Sequence, residues 1–266
     1  MNEPLPLSRS FGYQNVDALE REQRIRRVFE AVAPRYDLMN DLMSLGIHRW
    51  WKRRLVRLAA PASGQCIVDV AGGTGDVAAL MAGPDRQVTV VDPSVAMMEA
   101  GRSRQLPHIE WQIGTAEQLP MADASVDTVT IAFGIRNATH VDVALAQAWR
   151  VLKPGGRFLC LEFSTPVFWL RPLYNAFSFV VIPRLGAWIA RSPEAYTYLV
   201  ESIRRFPNQR SFAQLIEAAG FADVQYRNLS LGIACIHQGT KPSVHAGPVR
   251  KIDLDGARSC RANSQE

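Results

Sequence analysis

Cysteine is scarce in this chain of 266 residues: there are four, Cys66, Cys160, Cys235 and Cys260, far apart, with no C-x-x-C pair and no histidine at zinc-ligand spacing. That argues against a disulfide framework and a structural metal site, suits a reducing compartment, and leaves no metal expected. Long apolar runs are lacking too. The longest patch, around Phe177 to Ile182, is far below the roughly 18 residues that cross a bilayer. Met1 to Ser10 carries Glu3 and two prolines ahead of any basic residue, and no apolar h-region follows, so neither a secretory signal nor a transit peptide is expected. The expected location is the cytoplasm, at most against a membrane. Nor does one sign of charge dominate: 30 Lys and Arg face 25 Asp and Glu, a formal net charge of +5. Such a balance permits contact with an anionic surface without arguing for one.

What is present is 47% hydrophobic and 21% charged residues, the composition of a globular protein with material for one core. Apolar residues recur at near-helical spacing from Asp17 to Ala33 and again from Ile47 to Ala59, which predicts an N-terminal helical cap. Alternation follows: a strand Cys66 to Ala71, a glycine-rich turn and a helix from about Gly75, a strand Gln87 to Asp92, and a helix Val95 to Arg104. Then come strands Ile109 to Ile113 and Thr128 to Phe133, a helix Val141 to Val151, a turn at Lys153 to Gly156, and a strand Arg157 to Glu162. Repeated strand-helix units predict an α/β fold with a parallel, doubly wound sheet. An aromatic-rich insertion interrupts the pattern with Phe168, Trp169, Tyr174, Phe177, Phe179, Trp188, Tyr196 and Tyr198. A helix Ser211 to Ala219 and two β-like runs, Ala222 to Leu229 and Gly232 to His237, predict an antiparallel hairpin at one sheet edge. The expected organisation is an N-terminal segment (1–15) and a single domain (16–241) with a helical cap (16–62) and an insertion (166–206). A tail (242–266) has a disordered composition.

The strongest local signal is the strand-to-loop segment from Val68 to Asp76, VDVAGGTGD. Gly72, Gly73 and Gly75 let the backbone turn tightly against a ligand at a helix N-terminus. Asp92, ending the next strand, is placed to accept ribose hydroxyls, so the pair describes a nucleoside site. Gly73, Gly75 and Ala78 also fit a dinucleotide fingerprint. Asp69, inside the strand just before the turn, counts against that reading, since it repels a pyrophosphate and welcomes a cationic amino-acid ligand. The C-terminal hairpin counts against it too. S-adenosylmethionine is the better fit.

The segments Tyr36 to Lys52 (YDLMNDLMSLGIHRWWK) and Arg150 to Ser164 (RVLKPGGRFLCLEFS) resemble the signature segments of the ubiquinone/menaquinone biosynthesis C-methyltransferase family. Phe133 to Asn137 (FGIRN), Pro183 to Gly186 (PRLG) and Tyr198 to Arg204 (YLVESIR) match as well, in the family's order from about Phe11 to Pro242. The resemblance implies a Rossmann-like, seven-stranded methyltransferase sheet with an antiparallel C-terminal strand. It implies S-adenosylmethionine as methyl donor and the ring carbon of a prenylated benzoquinol or demethylmenaquinol as acceptor. For the donor it implies Thr74 in the loop, Asp92 on the ribose, Thr115 and Ala116 beside the adenine, and a contact at Ala132. Thr115 and Ala132 depart from the commoner Asn and Ser.

A quinol ring carbon is a poor nucleophile until an adjacent hydroxyl, with a pKa near 10, loses its proton. Arg136, after the fourth strand, is the candidate electrostatic activator, and Asn137 the candidate to position a ring oxygen. The bland alternative pairs Arg136 with a carboxylate and makes Asn137 a loop former. His48 is a candidate general base or a packing residue of the cap, the latter favoured. Tyr36 and Asp37 are candidates to line the same pocket. The insertion is the natural prenyl groove, with a second apolar layer or a homodimer surface as alternatives. Arg49, Lys52, Arg53, Arg54 and Arg57 make a basic helix for peripheral contact with anionic lipid, or simply a solvated face. Methylation of another lipid or of a small phenolic acceptor, and a non-catalytic cofactor-binding subunit of a quinone-biosynthesis complex, remain as alternatives. Nucleic acid is not expected, since no amino-methylation tetrapeptide occurs and basic residues are not interleaved with aromatics.

Overall fold

The computed structural model describes residues 7–178 and 193–243. Phe179, Trp188, the Pro183 to Gly186 segment and nearly all of the tail lie outside the described residues. Seven strands form the main sheet: β1 (Cys66–Val70), β2 (Gln87–Asp92), β3 (Ile109–Ile113), β4 (Val126–Ala132), β5 (Leu152–Phe163), β6 (Ala222–Leu229) and β7 (Ala234–Thr240). Their order is β3-β2-β1-β4-β5-β7-β6. Every pairing is parallel except the two that β7 makes, with β5 and with β6. The predicted sheet and its C-terminal hairpin are therefore present.

Central strands of such a sheet are covered on both faces, so their residues alternate between two cores. Val68 and Val70 join one core with Val129, Ile131, Phe158 and Cys160. Ile67 joins the other with Leu159 and Leu161. The first core is roofed by α6 (Val141–Val151) and α9 (Gln209–Ala218). The second is roofed by α3 (Ile47–Ala59), whose Trp51, Leu55 and Ala59 are buried on one helical face, and by α4 (Asp76–Met81). A short helix α5 (Val95–Arg102) follows β2, its N-cap Ser94 accepting the Met97 amide.

The cap has one helix more than the two predicted. Asp17 caps α1 (Ala18–Val32) by accepting the Glu20 amide; then α2 (Tyr36–Ser44) ends in left-handed Leu45 and Gly46 before α3. Two further helices, α7 (Arg171–Ala176) and α8 (Pro193–Arg205), belong to the insertion. A two-residue ladder, Ser10 and Phe11 against Asn15 and Gln14, rests on α8: Phe11 stacks on Tyr198 with centroids 4.4 Å apart, and the Tyr13 amide donates to Glu201 at 3.0 Å.

One local expectation needs correction. The predicted turn at Lys153 to Gly156 lies inside β5, which starts at Leu152. Val126 pairs with Leu152 and Thr128 with Arg157, so the Pro-Gly-Gly stretch is a bulge in the ladder. Gly155 is left-handed there (φ 80°), and Gly155 and Gly156 exchange backbone hydrogen bonds with Lys241.

Candidate active site

The chain runs outward from β1 to β3, then returns to β4 on the other side of β1, opening a crevice above the C-terminal ends of β1 and β4. The turns leaving these strands press together: a Cβ on Gly134 would lie 2.5 Å from that of Ala71. Ala71 (φ 51°) and Phe133 (φ 59°), the residues just after β1 and β4, are both left-handed, a conformation that costs energy in residues other than glycine and gathers at functional sites.

A small polar pocket sits above β1, lined by Asp69, Ala71, Gly72, Gly73 and Thr74 together with Lys52, Asp76, Ala132, Tyr36 and Phe133. Gly72 has no room for a side chain, since a Cβ would stand 2.9 Å from the Asp69 carboxylate. Asp92 fixes the loop from the next strand: its oxygens accept the Gly73 and Ser94 amides, each at 2.8 Å. Burial pushes the Asp92 carboxyl up, against those two hydrogen bonds. Asp69 is fully buried and accepts the Thr130 hydroxyl at 2.7 Å; burial pushes it up to about 7. Asp76 is the contrast. Burial works against its charge, yet Lys52 at 2.8 Å and Arg104 at 2.7 Å hold it at about 2. The loop is also gripped from the cap, where Asp37 accepts the Thr74 hydroxyl at 3.1 Å and lies 3.6 Å from Arg104.

Beside this pocket is an apolar cavity of about 460 Å³. Its walls come from α1 (Val28, Phe29, Val32), from α3 (His48, Trp51), from the ends of β4 and β5 (Phe133, Phe163), and from the insertion (Tyr174, Phe177, Tyr196). Tyr36 and Phe133 line both spaces and form their common wall. Leu45, Ile47 and Leu173 line the cavity and are also exposed to solvent, so they mark its mouth.

Arg136 is buried and lines the cavity. Its Nη1 donates to Glu162 Oε1 at 2.8 Å and to the Phe133 carbonyl, its guanidinium stands 5.5 Å from the Phe163 ring centroid, and its Nε has no hydrogen-bond partner among the described residues. Burial pushes the Glu162 carboxyl up, against the attraction of Arg136. The turn carrying Arg136 (Ile135–Asn137) is held by Arg21 of α1, which donates to the carbonyls of Arg136, Asn137 and Ser10 and to Thr139.

Of the residues predicted from sequence, Asp69, Gly72, Gly73, Thr74 and Ala132 meet at the polar pocket, Arg136 and His48 at the cavity, and Tyr36 at both. Gly75 (φ 78°) starts α4 and is packed on Trp111, which a Cβ would meet at 2.7 Å. Thr115 and Ala116 follow β3, on the same sheet edge as Asp92, and do not line the pocket. Asn137 lines neither space: its Oδ1 accepts the Tyr198 hydroxyl at 3.0 Å. His48 turns both ring nitrogens to α2, Nδ1 at 2.7 Å from Ser44 Oγ and Nε2 at 3.8 Å from Asp41. Burial, with Lys52 nearby, pushes it down to about 4. Lys52 departs from the solvated-face reading of its helix, being buried at the polar pocket. Glu162 and Arg21 were not read from sequence at all.

The model of the ubiE/COQ5 methyltransferase family matches residues 18–241. The chain is 75% identical over 241 residues to the ubiquinone/menaquinone biosynthesis C-methyltransferase UbiE of Rubrivivax gelatinosus, covering 91% of this chain and 96% of that one. It is 50% identical over 247 residues to the protein of the same name from Caulobacter vibrioides, covering 87% and 97%. Among solved structures it resembles a SAM-dependent methyltransferase of Thermotoga maritima described as a possible histamine N-methyltransferase, with a TM-score of 0.58 at 22% identity over 81% of this chain and 99% of that one. It also resembles phosphoethanolamine N-methyltransferase 2 of Haemonchus contortus in complex with S-adenosyl-L-methionine, with a TM-score of 0.53 at 15% identity over 73% and 52%. At those identities the likeness is one of fold.

Proposed function

Since the chain belongs to the ubiE/COQ5 methyltransferase family, we infer that it methylates a ring carbon of a prenylated quinol in ubiquinone and menaquinone biosynthesis, with S-adenosylmethionine as donor. The acceptors are a demethylmenaquinol, a 2-methoxy-6-polyprenyl-1,4-benzoquinol, or both. The observation that carries this reading is the junction of the two spaces, a polar glycine-lined pocket sharing Tyr36 and Phe133 with an apolar cavity. A quinol with an isoprenoid tail needs such a cavity, and a donor of methyl groups needs to meet it at one wall.

The polar pocket fits S-adenosylmethionine. Gly72 offers bare backbone where a side chain has no room, and Asp92 stands at the edge expected for ribose hydroxyls. Asp69 is buried with no ion pair among the described residues, which favours a cationic ligand beside it. When bound, this donor supplies an electrophilic methyl group on a sulfonium.

The protein's part is to orient and to activate. Arg136, fixed by Glu162 and the Phe133 carbonyl, keeps a cation at the wall of an otherwise apolar cavity. There it stabilises the phenolate that makes the ring carbon nucleophilic. Asn137 holds α8 through Tyr198, and His48, uncharged at neutral pH, ties α3 to α2. The exposed rim of Leu45, Ile47 and Leu173, with the exposed Trp50, Phe168 and Trp169 close to it in sequence and the exposed Arg53 on the same helix as Ile47, suits a surface of anionic lipid from which the tail enters.

The test is transfer of a labelled methyl group to demethylmenaquinol and to a demethylated prenyl benzoquinol, each held reduced. Ring methylation of at least one is the expected result. Donor binding without transfer to either would overturn the reading.

A further inference from the structure

We propose that Lys52 grips the carboxylate of the donor's amino-acid moiety, making α3 a binding element for both substrates. The proposal rests on the reading of the glycine-lined pocket as the donor site. Lys52 is 8% exposed and lines that pocket together with Asp69 and Gly72. Its one hydrogen bond among the described residues goes to Asp76 Oδ2, at 2.8 Å. An ammonium has three N–H donors, so two remain for a ligand. Asp76 does not require this lysine as its sole counter-ion, because Arg104 donates to its other oxygen at 2.7 Å. A buried ammonium facing a pocket with donors to spare costs free energy unless something negative fills the space. The donor's α-carboxylate is the anionic group of that ligand, and its ammonium and sulfonium suit Asp69 in the same pocket. One turn back along α3, His48 lines the apolar cavity together with Ile47 and Trp51, so the same helix presents side chains to both spaces.

The experiment is calorimetric titration of the full chain with S-adenosylmethionine and with decarboxylated S-adenosylmethionine. The wild-type protein is expected to prefer the carboxylated ligand by about 10- to 100-fold, the range of a charge-assisted hydrogen bond. Lys52→Met is expected to lose that preference by weakening the carboxylated ligand alone, and Lys52→Arg to keep part of it. Equal weakening of both ligands, or no weakening, overturns the proposal. Equal affinity of the wild-type protein for the two also overturns it, whatever the variants do. If the wild-type protein binds neither, the donor-site reading itself fails.

Discussion

At the scale of single residues, the polar pocket proposed to hold the donor is tuned by the burial of Asp69. Burial lifts its carboxyl to about 7, against the hydrogen bond from the Thr130 hydroxyl and the attraction of Lys52, and it forms no ion pair among the described residues. An acid whose folded pKa is raised binds its proton more tightly when folded, so its contribution to stability is present at low pH and declines as pH rises from about 4 to 7. A cationic donor favours the ionised form and must expel that proton. Donor affinity is therefore expected to rise between pH 5.5 and 7, by at most tenfold per unit, and then level off. Calorimetry in buffers of different ionisation enthalpy measures the proton released, and Asp69→Asn should abolish it.

Arg136 makes the second prediction at this scale. Removing it alone strands a buried Glu162 and costs about 3–5 kcal/mol of stability. Arg136→Met with Glu162→Gln removes both charges, and is expected to keep the fold and donor affinity while turnover falls by about 100-fold or more. Full turnover in a folded double variant would remove Arg136 from the chemistry. Gly72, Asp69 and Asp92 were legible in the sequence because their spacing sits within one strand-loop-strand unit. Glu162, Arg21 and the pocket-facing Lys52 were not, because their roles depend on partners brought together by the fold: Arg21 reaches the Asn137 carbonyl across 116 positions.

At the scale of elements, the cap is more than a cover. The sequence marks α1 and α3 by apolar periodicity, but α2 is short and mixes Leu and Met with Asp and Asn, which hid it. His48 links α2 to α3 as a neutral ring pushed down to about 4. A histidine with a lowered folded pKa contributes stability above its ordinary 6.5, and that contribution is lost as pH falls from 6.5 to about 4. Thermal melts across that range should show wild-type stability falling relative to His48→Gln, by no more than about 1.4 kcal/mol per unit. Asp69 acts in the opposite sense in part of this window but is common to both proteins, so it cancels in the difference. Parallel curves would mean that His48 is not charged on unfolding in the way its burial requires. The bulge in β5 was read as a turn because Pro-Gly-Gly is ordinary turn chemistry; only the pairing of Leu152 with Val126 shows that the strand resumes its partner on both sides.

At the scale of the molecule, the sheet was legible almost strand for strand, since parallel strands buried on both faces write near-continuous apolar runs. The cavity was legible only as a place, the aromatic insertion, because its walls are gathered from the cap, two strand ends and the insertion together. Its exposed rim predicts binding to vesicles containing anionic lipid, weakened by salt. Replacing the exposed, non-lining Trp50 and Phe168 by serine should reduce co-sedimentation several-fold and leave turnover of a short-tailed, water-soluble quinol intact. Undiminished co-sedimentation would place the contact elsewhere.

The grip of Asp37 on Thr74 and Arg104 ties α2, whose Tyr36, Asn40 and Ser44 line the apolar cavity, to the loop that lines the polar pocket. This tie predicts that the two ligands bind in a fixed order rather than independently. The expected order is donor first, then the quinol through the rim, with the methylated ring leaving before the spent donor. Product-inhibition kinetics check this compulsory order: spent donor is expected to compete with fresh donor and not with quinol, and competition with quinol would overturn it.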